Sequence, residues 1–135
     1  MRLVRSAAIV FAVVTGAVVA FQFALALGAP WGGYAMGGAY PGVFPPALRV
    51  AALVQGALLV GTALVALSRS GLILNSWARA SEWLIWLVVA LGAVSFVLNV
   101  ITPSAGERAI WAPVAAVLLV CSVTIAVGAR MTGSR

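Results

Sequence analysis

Eight arginines and two glutamates are the only charged residues in this chain of 135, and the gaps between them constrain its fold more than any other feature. Segments 6–48, 50–68, 83–106 and 109–129 carry no charge at all. A helix rising 1.5 Å per residue needs about twenty apolar residues to cross a hydrocarbon core of about 30 Å. Apolar residues make up 64% of the chain and charged residues 7%, with a mean hydropathy of +1.19. A soluble fold of this size leaves too much surface exposed to hide that much apolar area. The expectation is an all-α membrane protein of one domain, with four transmembrane helices.

The first helix is expected over about 7–27, behind Arg2 and Arg5. That opening resembles a secretory signal, but three further spans follow, so it reads as an uncleaved helix. Residues 28–46 then form an extracytoplasmic Gly/Pro loop. The stretch from 28 to 48 holds six of the fourteen glycines and four of the six prolines. The second helix is expected over about 47–68, the third over 82–101 and the fourth over 105–127, stopping near Gly128. Ser104 and Glu107 have the spacing of a capping box at the start of the last helix. Pro113 falls inside that helix, which neighbouring helices in a membrane tolerate. Short connections between four helices imply an up-down-up-down bundle.

Orientation follows from the arginines. One side collects Arg2, Arg5, Arg69, Arg79, Arg130 and Arg135, the other only Arg49 and Arg108. By the positive-inside rule both termini are cytoplasmic and the chain is a multi-pass protein of the plasma membrane. Trp77, Trp83 and Trp86 suit a belt at headgroup level on the cytoplasmic side. The arginines lie singly at the ends of apolar runs, so no nucleic-acid surface is expected; the basic partner is the lipid bilayer.

Polar side chains inside a bilayer are costly. Gln22, Gln55 and Asn99 all fall in the outer halves of their helices, with Thr102, Ser104, Glu107, Arg108 and Arg49 just above them. One reading is that the amides bond between helices and hold the bundle together. The other is a small site opening outward, floored by the amides and covered by the Gly/Pro loop. Trp31, Tyr34, Tyr40 and Trp111 form an outer aromatic belt or line a groove for an amphipathic molecule. Glu107 is either a helix cap or one member of a charged pair with Arg108. Arg49 and Arg108 snorkel to headgroups or meet an anionic ligand.

Several chemistries are excluded by residues the chain lacks. There is no histidine, lysine or aspartate, and Cys121 is the single cysteine. No nitrogen- or thiolate-rich metal set, no Ser-His-Asp arrangement and no histidine-ligated haem can form, and an intramolecular disulfide is impossible. There is no phosphate-binding P-loop. No cofactor, no metal and no enzyme activity are expected; a lipid-modifying role for Glu107 and Arg108 lacks the usual catalytic base.

The segments ALGAPWGGYAMGG (26–38), PPALRVAA (45–52) and LNVITPSAGERAIWAPVA (98–115) resemble an uncharacterised family of small bacterial four-helix integral membrane proteins. The resemblance runs over nearly the whole chain and rests on the GAPWG loop paired with an N-x-x-T-P-S-x-x-E-R turn. It implies that 28–38 and 99–111 form one unit, and brings no activity, cofactor or site.

The expected function is binding or transport of a small apolar or amphipathic molecule at an outward-facing site made from Gln22, Trp31, Tyr34, Gln55, Asn99, Thr102, Glu107 and Arg108. The alternative is an accessory or assembly subunit of a larger membrane complex. A lone four-helix bundle has little interior, so a homo-oligomer or a membrane-protein partner is expected, with Gly16, Ala20, Gly56, Gly61 and Gly92 as seams.

Overall fold

The computed structural model describes residues 1–133; Arg135, counted above with the cytoplasmic arginines, lies outside the described residues. Four long helices follow one another: α1 (Arg2–Leu27), α2 (Pro46–Arg69), α3 (Ala78–Ile101) and α4 (Ala105–Gly133). All four are long and apolar enough to cross a membrane, and the chain is a small multi-pass membrane protein. It forms an up-down-up-down bundle. Helix α1 packs most extensively on α2 and α3 on α4, while α1 and α4 close the ring. The seam between α2 and α3 is the thinnest of the four.

Three helix limits differ from those expected. Helix α1 starts at Arg2 and α3 at Ala78, several residues earlier than about 7 and 82. Arginines at a helix end reach the headgroups along their aliphatic stems, so a charge does not stop a membrane helix. Helix α4 runs through Gly128 to Gly133. Gly128 is a packing residue, not a stop: a Cβ there would lie 2.6 Å from Val4 Cγ2 of α1.

That contact also shows that the two chain ends lie together, as does the Thr132 hydroxyl beside Met1 Sδ at 3.3 Å. At this termini end the interior is filled. Val4, Ala8 and Phe11 of α1 pack with Val65 and Ala66 of α2, Ile85 and Val88 of α3, and Ile125 and Ala126 of α4. Small residues alternate with large ones, which lets the helices approach closely. Arg69 at the end of α2 pairs with the exposed Glu82 of α3 at 3.7 Å, and Arg130 lies 5.8 Å over the Trp86 ring.

The other end is built differently. Its buried apolar cluster is only Leu25, Phe44 and Ala52. Between α1 and α2 the loop makes two short 3-10 turns, Gly32–Tyr34 and Met36–Gly38. Gly32 donates its N–H to the Gly42 carbonyl at 2.9 Å, which folds the loop back on itself. A Cβ on Gly32 would sit 2.0 Å from the Tyr40 carbonyl oxygen and 2.9 Å from the Phe44 ring, so only glycine fits. Phe44 is thereby driven into the bundle, 1% exposed, and Arg49 Nε donates to its carbonyl at 2.9 Å.

Of the small residues expected to form seams, Gly56 faces Gln22 and Gly92 faces Leu119, both inside the bundle. A Cβ on Gly16 or Gly61 would meet nothing within 4 Å.

Candidate functional site

Under the loop, the four helices leave a cavity of about 130 Å³. Every helix contributes to its wall, and Tyr34, Ala35, Met36 and Phe44 roof it from the loop. Gln22 comes from α1, Gln55 from α2, Ser95 and Asn99 from α3, and Glu107 and Trp111 from α4. The inward stripe of α1 runs through Phe11, Thr15, Gln22 and Leu25, all buried. Gln22 is inside because it occupies a stripe position, not because a partner draws it there.

Gln22 is only 7% exposed, and no hydrogen bond joins its amide to another described residue. The amide lines the cavity, so its donor and acceptor groups face that space instead of a protein partner. Gln55 lies across the cavity on an exposed part of α2. Asn99 behaves differently. Its Nδ2 donates within its own helix, to the Ser95 carbonyl at 2.7 Å and the Ser95 hydroxyl at 3.3 Å. The three amides therefore share one chamber but do not bond to one another, and the interhelical ties expected of them are not made.

The turn between α3 and α4 supplies the charged group. Glu107 is 8% exposed, and the Thr102 hydroxyl donates to its Oε2 at 2.8 Å. Only half of the capping box forms. The Glu107 N–H donates to Ser104 Oγ at 3.2 Å, while the carboxylate turns to Thr102 instead of back to the Ser104 amide. The position is the third residue of α4, where the helix N-terminus favours negative charge. Arg108 is exposed and does not pair with Glu107; its Nη1 donates to the Thr102 carbonyl at 3.2 Å, at the C-terminal end of α3. It is a helix-end tie, and the cavity wall does not include it. Arg49 serves the loop in the same way.

Three contacts fix the cover to α4. The Ser104 hydroxyl donates to the Gly33 carbonyl at 3.0 Å, and the Trp111 indole N–H to the Tyr34 carbonyl at 2.7 Å. The Tyr34 ring rests on Gly106, where a Cβ would lie 2.8 Å from its Cε1. Phe21 sits between two indoles, stacked on Trp31 at 6.2 Å and tilted against Trp111 at 4.7 Å. Trp31 thus supports Phe21 from outside and does not reach the cavity; it is 47% exposed. Tyr40, at 50%, also faces outward.

Of the eight residues expected to form the site, the structure gathers Gln22, Tyr34, Gln55, Asn99 and Glu107 around the cavity. Thr102 adjoins it through Glu107 and lines a continuous outer groove. Trp31 and Arg108 stand outside. Phe21, Met36, Phe44 and Ser95 are among the other residues of the wall. Their one sequence signal is proximity: Phe21 precedes Gln22, and Ser95 lies one turn before Asn99.

The cavity continues sideways. A groove of about 620 Å³ runs between α2 and α3, sharing Met36, Gln55, Ser95, Asn99 and Glu107 with the interior and walled by Leu91, Val94 and Leu98. It opens where the bundle is thinnest, toward the surface that lipid would cover. No protein-family model, curated protein or solved structure matches the chain.

Proposed function

We propose that this protein binds a small amphipathic molecule in the cavity beneath the Gly/Pro loop. The observation that carries this is Gln22, more than nine-tenths buried, facing the cavity and lacking any protein partner. A bundle selected only for packing fills such a space or replaces the amide, since apolar isosteres of unpaired polar groups are neutral or stabilising. The mixed wall suits a guest with an apolar body and one polar end, and the groove between α2 and α3 gives it a route from the bilayer. The arginine distribution supports a cavity on the extracytoplasmic side of the plasma membrane, with Arg2, Arg5, Arg69, Arg79 and Arg130 at the cytoplasmic end.

A crystal of the protein soaked with 4-bromobenzyl alcohol tests the reading. The expected result is a bromine anomalous peak within the cavity, lost in Gln22→Leu. Bromine found only on the lipid-facing surface rejects it. Orientation has its own test in whole cells, with Tyr40→Cys and Asn75→Cys placed in a Cys121→Ser background. A membrane-impermeant maleimide is expected to label the first and spare the second; the reverse pattern inverts the topology.

A further inference from the structure

The wall of the cavity holds one carboxylate and no basic group. Each arginine near it is engaged elsewhere: Arg49 on the Phe44 carbonyl, Arg108 on the Thr102 carbonyl. The one ion pair among the described residues, Arg69 with Glu82, is at the far end of the bundle. Glu107 is thus a buried carboxylate whose only side-chain partner among them is a neutral hydroxyl, on one of its two oxygens. A helix N-terminus offsets part of the cost of such a charge, and the Thr102 hydroxyl serves only one of the two carboxylate oxygens.

The rest of the wall suits a cation whose charge is diluted by carbon. Phe21, Tyr34, Phe44 and Trp111 are the aromatic residues of the wall, although Phe21 is already packed between the Trp31 and Trp111 rings. Ring faces attract ammonium groups most strongly where water is excluded. Among the described residues no group of three or more histidines, cysteines or carboxylates could hold a metal ion, and the single carboxylate here matches a single positive charge. The unpartnered Gln22 amide adds a neutral dipole at the same site, which fits a guest carrying one charge and some further polarity.

Resting on the binding reading above, we propose that the guest is an ammonium group bearing apolar substituents, held by Glu107 and surrounded by the aromatic rings. It reaches the cavity through the groove between α2 and α3, where Glu107 also lines the path. Such a group is carried by free hydrophobic amines and quaternary ammonium ions, and by the headgroups of some phospholipids.

The test compares phenyltrimethylammonium with its uncharged isostere tert-butylbenzene, in nanodiscs of phosphatidylglycerol alone at high salt. The Trp111 indole and Gln22 side-chain amide resonances report occupancy. The cation is expected to bind roughly tenfold more tightly than the isostere, the scale of a desolvated cation–aromatic contact. Glu107→Gln is expected to abolish that preference. Because the comparison of the two compounds needs only the unmodified protein, it decides the matter even if the variant fails to fold. Exchanging half of the phosphatidylglycerol for phosphatidylcholine, with no added ligand, separates the sources. Resonances that move on the exchange identify a lipid headgroup; resonances that move only with the soluble cation identify a free amine. Equal binding of cation and isostere overturns the ammonium assignment while leaving an apolar binding cavity. If neither compound nor lipid moves either resonance, the binding reading itself falls.

Discussion

The two halves of the bundle use the same four helices to opposite ends. At the termini end, Ala8, Ala66, Ile85, Ile125 and Ala126 are completely buried, and side chains fill the space between the helices. At the loop end the corresponding positions hold Gln22, Gln55, Asn99 and Glu107, and a chamber remains. The packed half is held by apolar contact. The hollow half is held by its rim, through Ser104 to Gly33, Trp111 to Tyr34, Arg49 to Phe44 and Arg108 to Thr102. Stability and vacancy are thereby divided between the ends, so the interior can stay open at one end while the helices remain aligned by the other.

The contrast is sharpest for two phenylalanines on α1. Phe11→Ala, in the packed half, is expected to cost about 3–5 kcal/mol, as for large-to-small changes in a filled core. Phe21→Ala is expected to cost less than about 2 kcal/mol, because Phe21 is only partly buried and so loses less transfer free energy than Phe11. Unfolding in mild detergent checks both, and equal losses break the distinction between the halves. Trp111→Phe keeps the ring and removes the indole donor to Tyr34. A loss of about 1 kcal/mol is expected, together with faster amide hydrogen exchange across 32–38 and unchanged exchange in the packed core. Gln22→Leu has the smallest effect and the opposite sign. It is expected to raise stability by up to about 1 kcal/mol while abolishing binding of the bromobenzyl alcohol, a trade of function for stability. A destabilised Gln22→Leu shows that the amide has a structural partner after all.

Much of this was legible from residue order because charge is so scarce. Four uncharged runs mark four helices, and the depth of Gln22, Gln55, Asn99 and Glu107 along them places these groups at one level. Helix ends were less legible. Arg2 and Arg5 begin a helix instead of preceding it, and Gly128 continues one because Val4 needs the room. What each polar side chain does at its level was also hidden. Asn99 turns to Ser95, and Arg108 turns to a carbonyl rather than to its neighbour Glu107. Those choices depend on how the loop closes, and the loop closes on Gly32 through contacts with Tyr40, Gly42 and Phe44, eight to twelve residues further along the chain. The wall residues Phe21, Met36 and Phe44 left no mark because an apolar side chain reads the same whether it faces a void or another side chain.

The narrow seam between α2 and α3 has one more consequence. No hydrogen bond joins α2 to α3 among the described residues at the level of Gln55 and Asn99, and beside these amides the α3 face is apolar through Leu91, Val94 and Leu98. Acyl chains solvate such surfaces about as well as neighbouring helices do. Parting the two helices at that level therefore exchanges one oily neighbour for another at little net cost, without disturbing a single tie that anchors the cover. On the binding reading proposed above, the surrounding membrane, through its chain length and lateral pressure, is the expected control on how fast the guest comes and goes.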